Sequence, residues 1–377
     1  MRIETRRWMS SDGWNGRLGE LREAQLVLVF ASKEACDRAD LLDELAGAYP
    51  RAEIIGCSTA GEIFDTQVTD DSLSFAAIDF AGTSIRCARV QIDGPEESFA
   101  AGARLAAELP REGLVHVLVF SEGVRVNGSE LVKGLAGSLP PAVTVTGGLS
   151  GDGHRFERTY VIWRGKAEEG SIVACGLYGS AIRVGYASLG GWDPFGTERL
   201  ITKSNGNVLY ELDGRSALEL YKRYLGEHAA DLPASGLLFP LSLRTARDAT
   251  PVVRTILGVN EEEQSMTFAG DMPQDGYARL MKANFDRLID GAAGAAKLST
   301  KAVGGANPDL ALLISCVGRK MVLQQRIEEE VEGVRDAVGA RTVLTGFYSY
   351  GEISPFTPSA RCELHNQTMT ITTFSES

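Results

Sequence analysis

Gly56-Cys57-Ser58-Thr59-Ala60-Gly61-Glu62-Ile63 and Gly346-Phe347-Tyr348-Ser349-Tyr350-Gly351-Glu352-Ile353 are two versions of one segment, 290 residues apart, with Gly, Gly and Glu at the same relative places. Each follows an apolar run and a helical pattern, so the likeness extends beyond the eight residues. Working outward, three stretches share one order of elements. The first has a helical pattern at 14–23, the run LVLVF at 26–30, a helix over 37–48 and AEIIGC at 52–57. The second has a helix at 98–109, HVLVF at 116–120, a helix at 129–139 and VTVTGG at 143–148. The third has a helix at 284–298, LALLIS at 310–315, a longer helix over 324–338 and TVLTGF at 342–347.

Each unit therefore reads helix, strand, helix, strand, glycine-rich turn. Short continuous apolar strands between helices are strands buried on both faces, which predicts an α/β class. The runs after the turns, 72–80, 158–165 and 368–374, alternate in character. Alternation predicts half-exposed strands, hence mixed sheets with flanking helices.

At 377 residues the chain exceeds a single core, and two domains follow. The break falls near residue 200, giving 1–200 with two repeat units and 201–377 with the third. Ser216 reads as a helix cap three residues before Glu219, and GLLFPLSL and VVRTILGVN as β-rich runs. A formal charge of −12 without a long basic run argues against nucleic acid and anionic membrane as partners. No apolar stretch has the length of a membrane helix or a signal segment, so a cytoplasmic protein is expected. The six cysteines show no CxxC or zinc-like spacing and read mostly as small apolar residues in a reducing compartment.

GCSTAGEI, GLSGDGHRFERT at 148–159, IVACGLYG at 172–179, VLYELDGRSALELYKRYLG at 208–226, GFYSYGEISPF and CELHNQTMT at 362–370 together resemble the FIST family, in both its N-terminal and C-terminal parts. The resemblance implies a bacterial sensory module of signal transduction that binds a small ligand and passes the signal to a histidine kinase or cyclic-dinucleotide enzyme. Some similar members are haem proteins that sense nitric oxide, so haem b is an expected cofactor. An amino acid or other small metabolite is the milder alternative.

Glycine turns at the carboxyl ends of buried strands are where α/β sheets bind ligands. The candidate ligand-binding residues are Gly56, Cys57, Ser58, Thr59, Gly61 and Glu62 of the first turn, Gly148, Ser150, Asp152 and Arg155 of the second, and Tyr348, Tyr350, Gly351, Glu352 and the following Asn366 of the third. The plain alternative is that the glutamates cap a helix or pair with arginine. In the second turn Gly148 and Gly153 are five apart and His154 stands where the glutamates stand. Of four histidines, His116 reads as a core residue and His228 as a helix-end cation. His365 is the first candidate for a haem iron and His154 the second. Phe347, Tyr348, Tyr350, Trp192 and Phe195 wall a pocket or fill gaps between elements.

Catalysis is not expected. Cys57 and Ser58 lack the helix that a nucleophile elbow requires, and the residues of GGLSGDG run on into a strand-like stretch. With no output-domain pattern in the sequence, a ligand signal is expected to leave through a protein contact.

Overall fold

The computed structural model describes residues 1–246, 249–305, 307–356 and 360–377. Each repeat unit begins with two parallel strands: Leu26–Ala31 beside Glu53–Ser58, Leu114–Ser121 beside Thr144–Leu149, and Leu310–Cys316 beside Val343–Ser349. Parallel neighbours need a crossover, which the intervening helices supply. A third strand, Ser72–Asp79, Ser171–Tyr178 or Met369–Glu376, then returns antiparallel on the other side of the first. The sheets are mixed, as the pattern predicts.

Between the second and third strands each unit sends a short hairpin into another unit's sheet. The hairpin of Glu62–Phe64 and Gln67–Thr69 pairs with Val343–Ser349 of unit three. That of Gly351–Pro355 and Cys362–His365 pairs with Thr144–Leu149 of unit two. That of Val161–Trp163 and Lys166–Glu168 pairs with Glu53–Ser58 of unit one. The exchange closes on itself, so three sheets form one ring around an internal pseudo-three-fold axis, and each hairpin covers an otherwise open sheet edge.

Gly56, Gly147 and Gly346 mark the same point in each sheet, opposite Val29, Val119 and Leu313. A Cβ there would lie 1.7, 1.8 and 1.8 Å from the facing carbonyl oxygen, which explains why the repeat keeps glycine. The inner faces of the sheets meet on the axis. Phe30 stacks on Phe347 at 4.8 Å between ring centroids and meets Phe120 edge-on at 5.7 Å. The outer faces lie under helices: Ala39–Ala48 brings Leu41, Leu42 and Leu45, and Phe285–Ala302 brings Ala292, Ala295 and Ala296. Full burial of a side chain as large as Leu or Phe contributes about 1.5–3 kcal/mol. This double cover corrects the reading of 72–80 and 368–374 as half exposed: both strands are buried for most of their length.

Residues 193–282 build a second body, a nine-stranded antiparallel sheet between Ile182–Leu189 and Phe285–Ala302. Helix Ala217–Leu225 packs on it, and Ser216 caps that helix by accepting from the Glu219 amide at 3.2 Å, as its spacing predicts. The division at residue 200 follows the sequence halves, whereas the sheets place the third unit with the first two and the strands of 193–282 apart from them.

Three local expectations are corrected. Residues 14–23 form no helix, because Gly19 adopts φ +77° and its amide donates to Tyr49 Oη. Residues 234–238 form a 3-10 turn, the strand starting only at Leu241. Residues 154–159 form a loop, with strand confined to Val161–Trp163.

Candidate functional site

The three turns meet. Ala60 N donates to Tyr348 O and Tyr348 N to Gly61 O, both at 2.8 Å. Tyr350 N donates to Leu149 O at 3.2 Å, and Gly151 N to Ser58 O at 2.9 Å. Ser58 Oγ donates to Gly151 O and accepts from Tyr160 N, while Ser150 Oγ donates to Ser121 O. The ring of contacts is closed and its centre is filled: Cys57 and Phe347 belong to the axial core, and a Cβ on Gly148 would lie 2.8 Å from Ile314.

Glu62 and Glu352 are fully buried. Glu62 accepts from the Thr59 hydroxyl and from Ser72 N and Oγ. Glu352 accepts from the Ser349 hydroxyl and from Thr368 N and Oγ1. Burial pushes both carboxyls up to about 8, against the lowering effect of those hydrogen bonds. Gly61 and Gly351 pass beside them, so these residues hold the turns together from within.

The second turn differs in register from its sequence reading. Ile63 pairs with Gly346, Ile353 with Gly147 and Ile162 with Gly56. Seven residues separate Gly56 from Ile63 and Gly346 from Ile353, but fifteen separate Gly147 from Ile162; the extra eight form a loop. Gly147, not Gly148, is thus the repeat glycine, and Val161, not His154, stands at the glutamate position. Asp152 organises the loop by accepting from the amides of Phe156, Glu157 and Arg158 at 2.9, 3.1 and 2.9 Å and from the Tyr350 hydroxyl. Tyr350 stacks on Phe156 at 4.1 Å, 16° from parallel.

That stacked pair is part of the wall of a cavity of about 650 Å³ between the two bodies. On the ring side stand Leu149, His154, Arg155, Met321 and the N-terminus of helix Gly128–Ser138, where Asn127 caps by accepting from Glu130 N. On the other side stand Asn207, Leu237, Ile256, Leu257, Phe268 and Gly270. No carboxylate and no lysine is among the described lining residues, although the chain has 50 Asp and Glu. Arg155 pairs with the more exposed Glu34 at 3.1 Å.

Behind the wall lies a layer of buried polar groups. Asn366 Nδ2 donates to Tyr350 O at 3.4 Å and Gln367 Nε2 to Leu237 O at 3.3 Å, while Asn366 Oδ1 and Gln367 Oε1 have no partner among the described residues. Arg254 donates to Leu364 O at 2.9 Å, makes no ion pair among the described residues and leaves Nε unpartnered there. His365 is buried, its Nε2 is bonded to Ser354 O at 2.7 Å and Phe356 meets its ring edge-on at 4.1 Å. Burial pushes its pKa down to about 4. No described group of three or more His, Cys, Asp or Glu is arranged to hold a metal ion.

Of the candidate residues read from the sequence, His154, Arg155 and Tyr350 reach the cavity; Gly56, Cys57, Ser58, Thr59, Gly61, Glu62, Gly148, Ser150, Asp152, Tyr348, Gly351, Glu352, His365 and Asn366 are not among its described lining residues. The whole wall from 207 to 270 escapes a sequence reading, since Ile256, Phe268 and Gly270 carry no signal that separates a pocket lining from a core. The capped helix start at Asn127 is legible in its NGSE spelling.

The family described as FIST N domain matches residues 25–215, and that described as FIST C domain matches residues 217–355. An uncharacterised protein of Methanocaldococcus jannaschii is 22% identical over 342 residues, covering 83% of this chain and 64% of its own length. Among solved structures, cyanuric acid hydrolase from A. caulinodans aligns over 99% of this chain and 98% of its own with a TM-score of 0.36 and 7% identity. No described helix is long and apolar enough to cross a membrane.

Proposed function

Because the chain belongs to the FIST family, we propose that it is a sensory protein of signal transduction whose small ligand sits in the cavity between the three-sheet ring and the inserted antiparallel sheet. The observation that carries this reading is the joint wall: a ligand touching both Tyr350 and Ile256 has different contacts when the bodies approach or part, and only such a difference lets binding shift a conformational equilibrium. The ligand has an apolar body for Leu149, Phe156 and Phe268. Its polar end is an acceptor or anion, favoured by Arg155, His154 and the N-terminus of helix Gly128–Ser138. An amino acid or similar metabolite answers that description.

Cys57 supports the sensory over the catalytic reading. Its thiol is buried in the axial core and pushed well up by that burial, unfit for a nucleophile. A histidine kinase or cyclic-dinucleotide enzyme as recipient rests on the family alone.

A haem-based nitric oxide sensor is the second reading, favoured by one fact: His154 stands on the cavity wall. His365 does not fit as the iron ligand, being enclosed by Ser354 and Phe356 away from the cavity. When bound, haem would supply the iron that takes up the gas, and His154 would hold it.

The test is a thermal-shift and calorimetric screen of amino acids and small carboxylates, with haemin in parallel. A ligand of the cavity raises Tm in the native protein and loses that effect in Met321→Trp, which fills the space. Binding that survives the filled cavity would refute the location. A Soret band lost in His154→Ala would instead establish the haem reading.

A further inference from the structure

Strands Ser84–Gln91 and Ser171–Tyr178 run antiparallel with Cys87 directly opposite Cys175. The kind of pair follows from hydrogen-bond parity. Ile92 N donates to Gly170 O at 2.8 Å on the extension of the same register, which makes those two residues a hydrogen-bonded pair. Pair types alternate along an antiparallel ladder, so Val90 with Ile172 and Ala88 with Ala174 are of that kind, and Cys87 with Cys175 is a non-hydrogen-bonded pair. At such a pair the Cα atoms approach to about 4.5 Å and the side chains lean together, inside the roughly 4.4–6.8 Å that disulfides span.

Both thiols are free, and the Cys175 thiol donates to Gly176 O at 4.0 Å. Ser84–Gln91 is the outermost strand of its sheet, and Cys87 is half-buried while Cys175 is completely buried. Among the described strand pairings no other cysteine faces a cysteine: Cys57 faces Phe30 and Val161, Cys316 faces Ser349, and Cys362 faces Pro355.

We propose that Cys87 and Cys175 are a reversible oxidation site that closes into a cross-strand disulfide under a hydroperoxide. The Cys87 sulfur attacks the peroxide, the O–O bond breaks, and a sulfenic acid forms with release of an alcohol, or of water from hydrogen peroxide. The Cys175 sulfur then attacks the Cys87 sulfur, the S–O bond breaks, and water leaves as the S–S bond forms. Two thiol protons and two electrons pass to the peroxide. Cys87 is the attacking group because, half-buried, it is the one the oxidant reaches first; Cys175, completely buried, is met only afterwards. Closure ties an edge strand to its neighbour.

The test treats the reduced full chain with excess hydrogen peroxide, quenches it, and counts thiols in denaturant. The count falls from six to four. Peptide mapping without reductant shows tryptic peptides 87–89 and 167–183 joined, and a dithiol restores the six. Cys87→Ser keeps its five remaining thiols under the same treatment, with an unchanged circular dichroism spectrum. Survival of all six thiols, or Cys87 oxidised to sulfinic acid with no joined peptide, overturns the proposal.

Discussion

Glu62 and Glu352 accept the same three hydrogen bonds: one from a hydroxyl three residues earlier and two from a hydroxyl residue at the entry to their unit's last strand, Ser72 as its first residue and Thr368 just before it. Their likeness is structural, and it has a measurable consequence. Both pKa values rise from 4.5 to about 8 on folding. Between those values the folded state holds protons that the unfolded state has lost, so stability falls as pH rises through that window. The slope is at most about 1.4 kcal/mol per pH unit for each carboxyl. Glu62→Gln with Glu352→Gln imitates the neutral acid, and urea midpoints at pH 5.5, 7 and 8 should decline less than in the native protein.

The repeat glycines admit no side chain. Gly56→Ala, Gly147→Ala or Gly346→Ala drives a methyl into the facing backbone carbonyl, at a cost of about 3 kcal/mol or more. Gly47→Ala and Gly137→Ala, on helix positions with open space around the added atom, should leave stability unchanged or raise it by about 0.5 kcal/mol. Thermal denaturation of the five variants separates the two groups; equal behaviour would contradict the packing.

The contrast shows what the sequence carries. A glycine forced by backbone approach leaves a mark in every copy, which is why residues 56–63 and 346–353 announce the fold. The second copy misleads because Gly148 follows Gly147 and eight extra residues separate the turn from its hairpin. Hairpin exchange is invisible, since the pairing of Ile63 with Gly346 is a contact between distant segments and leaves no periodicity of its own. Half of the cavity wall is invisible for a plainer reason: an apolar residue facing a cleft is spelled like one facing a core.

Asp152 should be the loop's weak point. Asp152→Ala leaves the Glu157 and Arg158 amides without their acceptor, and leaves Phe156 N and the Tyr350 hydroxyl with only their second partners, Tyr350 Oη at 3.1 Å and Gly153 O at 3.2 Å, costing roughly 2–4 kcal/mol. Asp152→Asn retains one acceptor oxygen and should cost less. Hydrogen exchange over 151–160 should rise in the same order while exchange in strand Leu114–Ser121 stays slow.

On the acid side, His116 and His365 set the limit. Burial pushes them down to about 3 and about 4 from 6.5, so both are neutral in the folded protein at pH 7. As pH falls below 6.5 the unfolded state takes up protons that the folded state refuses, and stability drops until the folded values are passed. His116 hydrogen-bonds the Thr144 and Thr146 hydroxyls, so His116→Gln, which keeps polar partners for them, should flatten the acid limb between pH 6 and 4. An unchanged limb would place the acid sensitivity elsewhere.

Arg319 holds the place where the chain passes between the two bodies. Fully buried, it donates to Gly190 O at 3.1 Å and Leu288 O at 2.8 Å, on either side of the inserted sheet, and forks onto Glu330 at 2.7 Å. Glu330 in turn accepts from the Tyr348 hydroxyl at 2.7 Å, which brings the third turn into the same network. Arg319→Met leaves Glu330 buried without its counterion and should cost about 3–5 kcal/mol. Arg319→Lys keeps the charge but not the planar fork that reaches two carbonyls and a carboxylate at once, so part of the loss should remain. With the junction loosened, hydrogen exchange in 193–282 should rise and any ligand of the cavity should bind more weakly, because its two walls are no longer held at one separation. Arg319→Lys that lowers the unfolding midpoint yet leaves ligand affinity intact would show the clamp to serve stability alone.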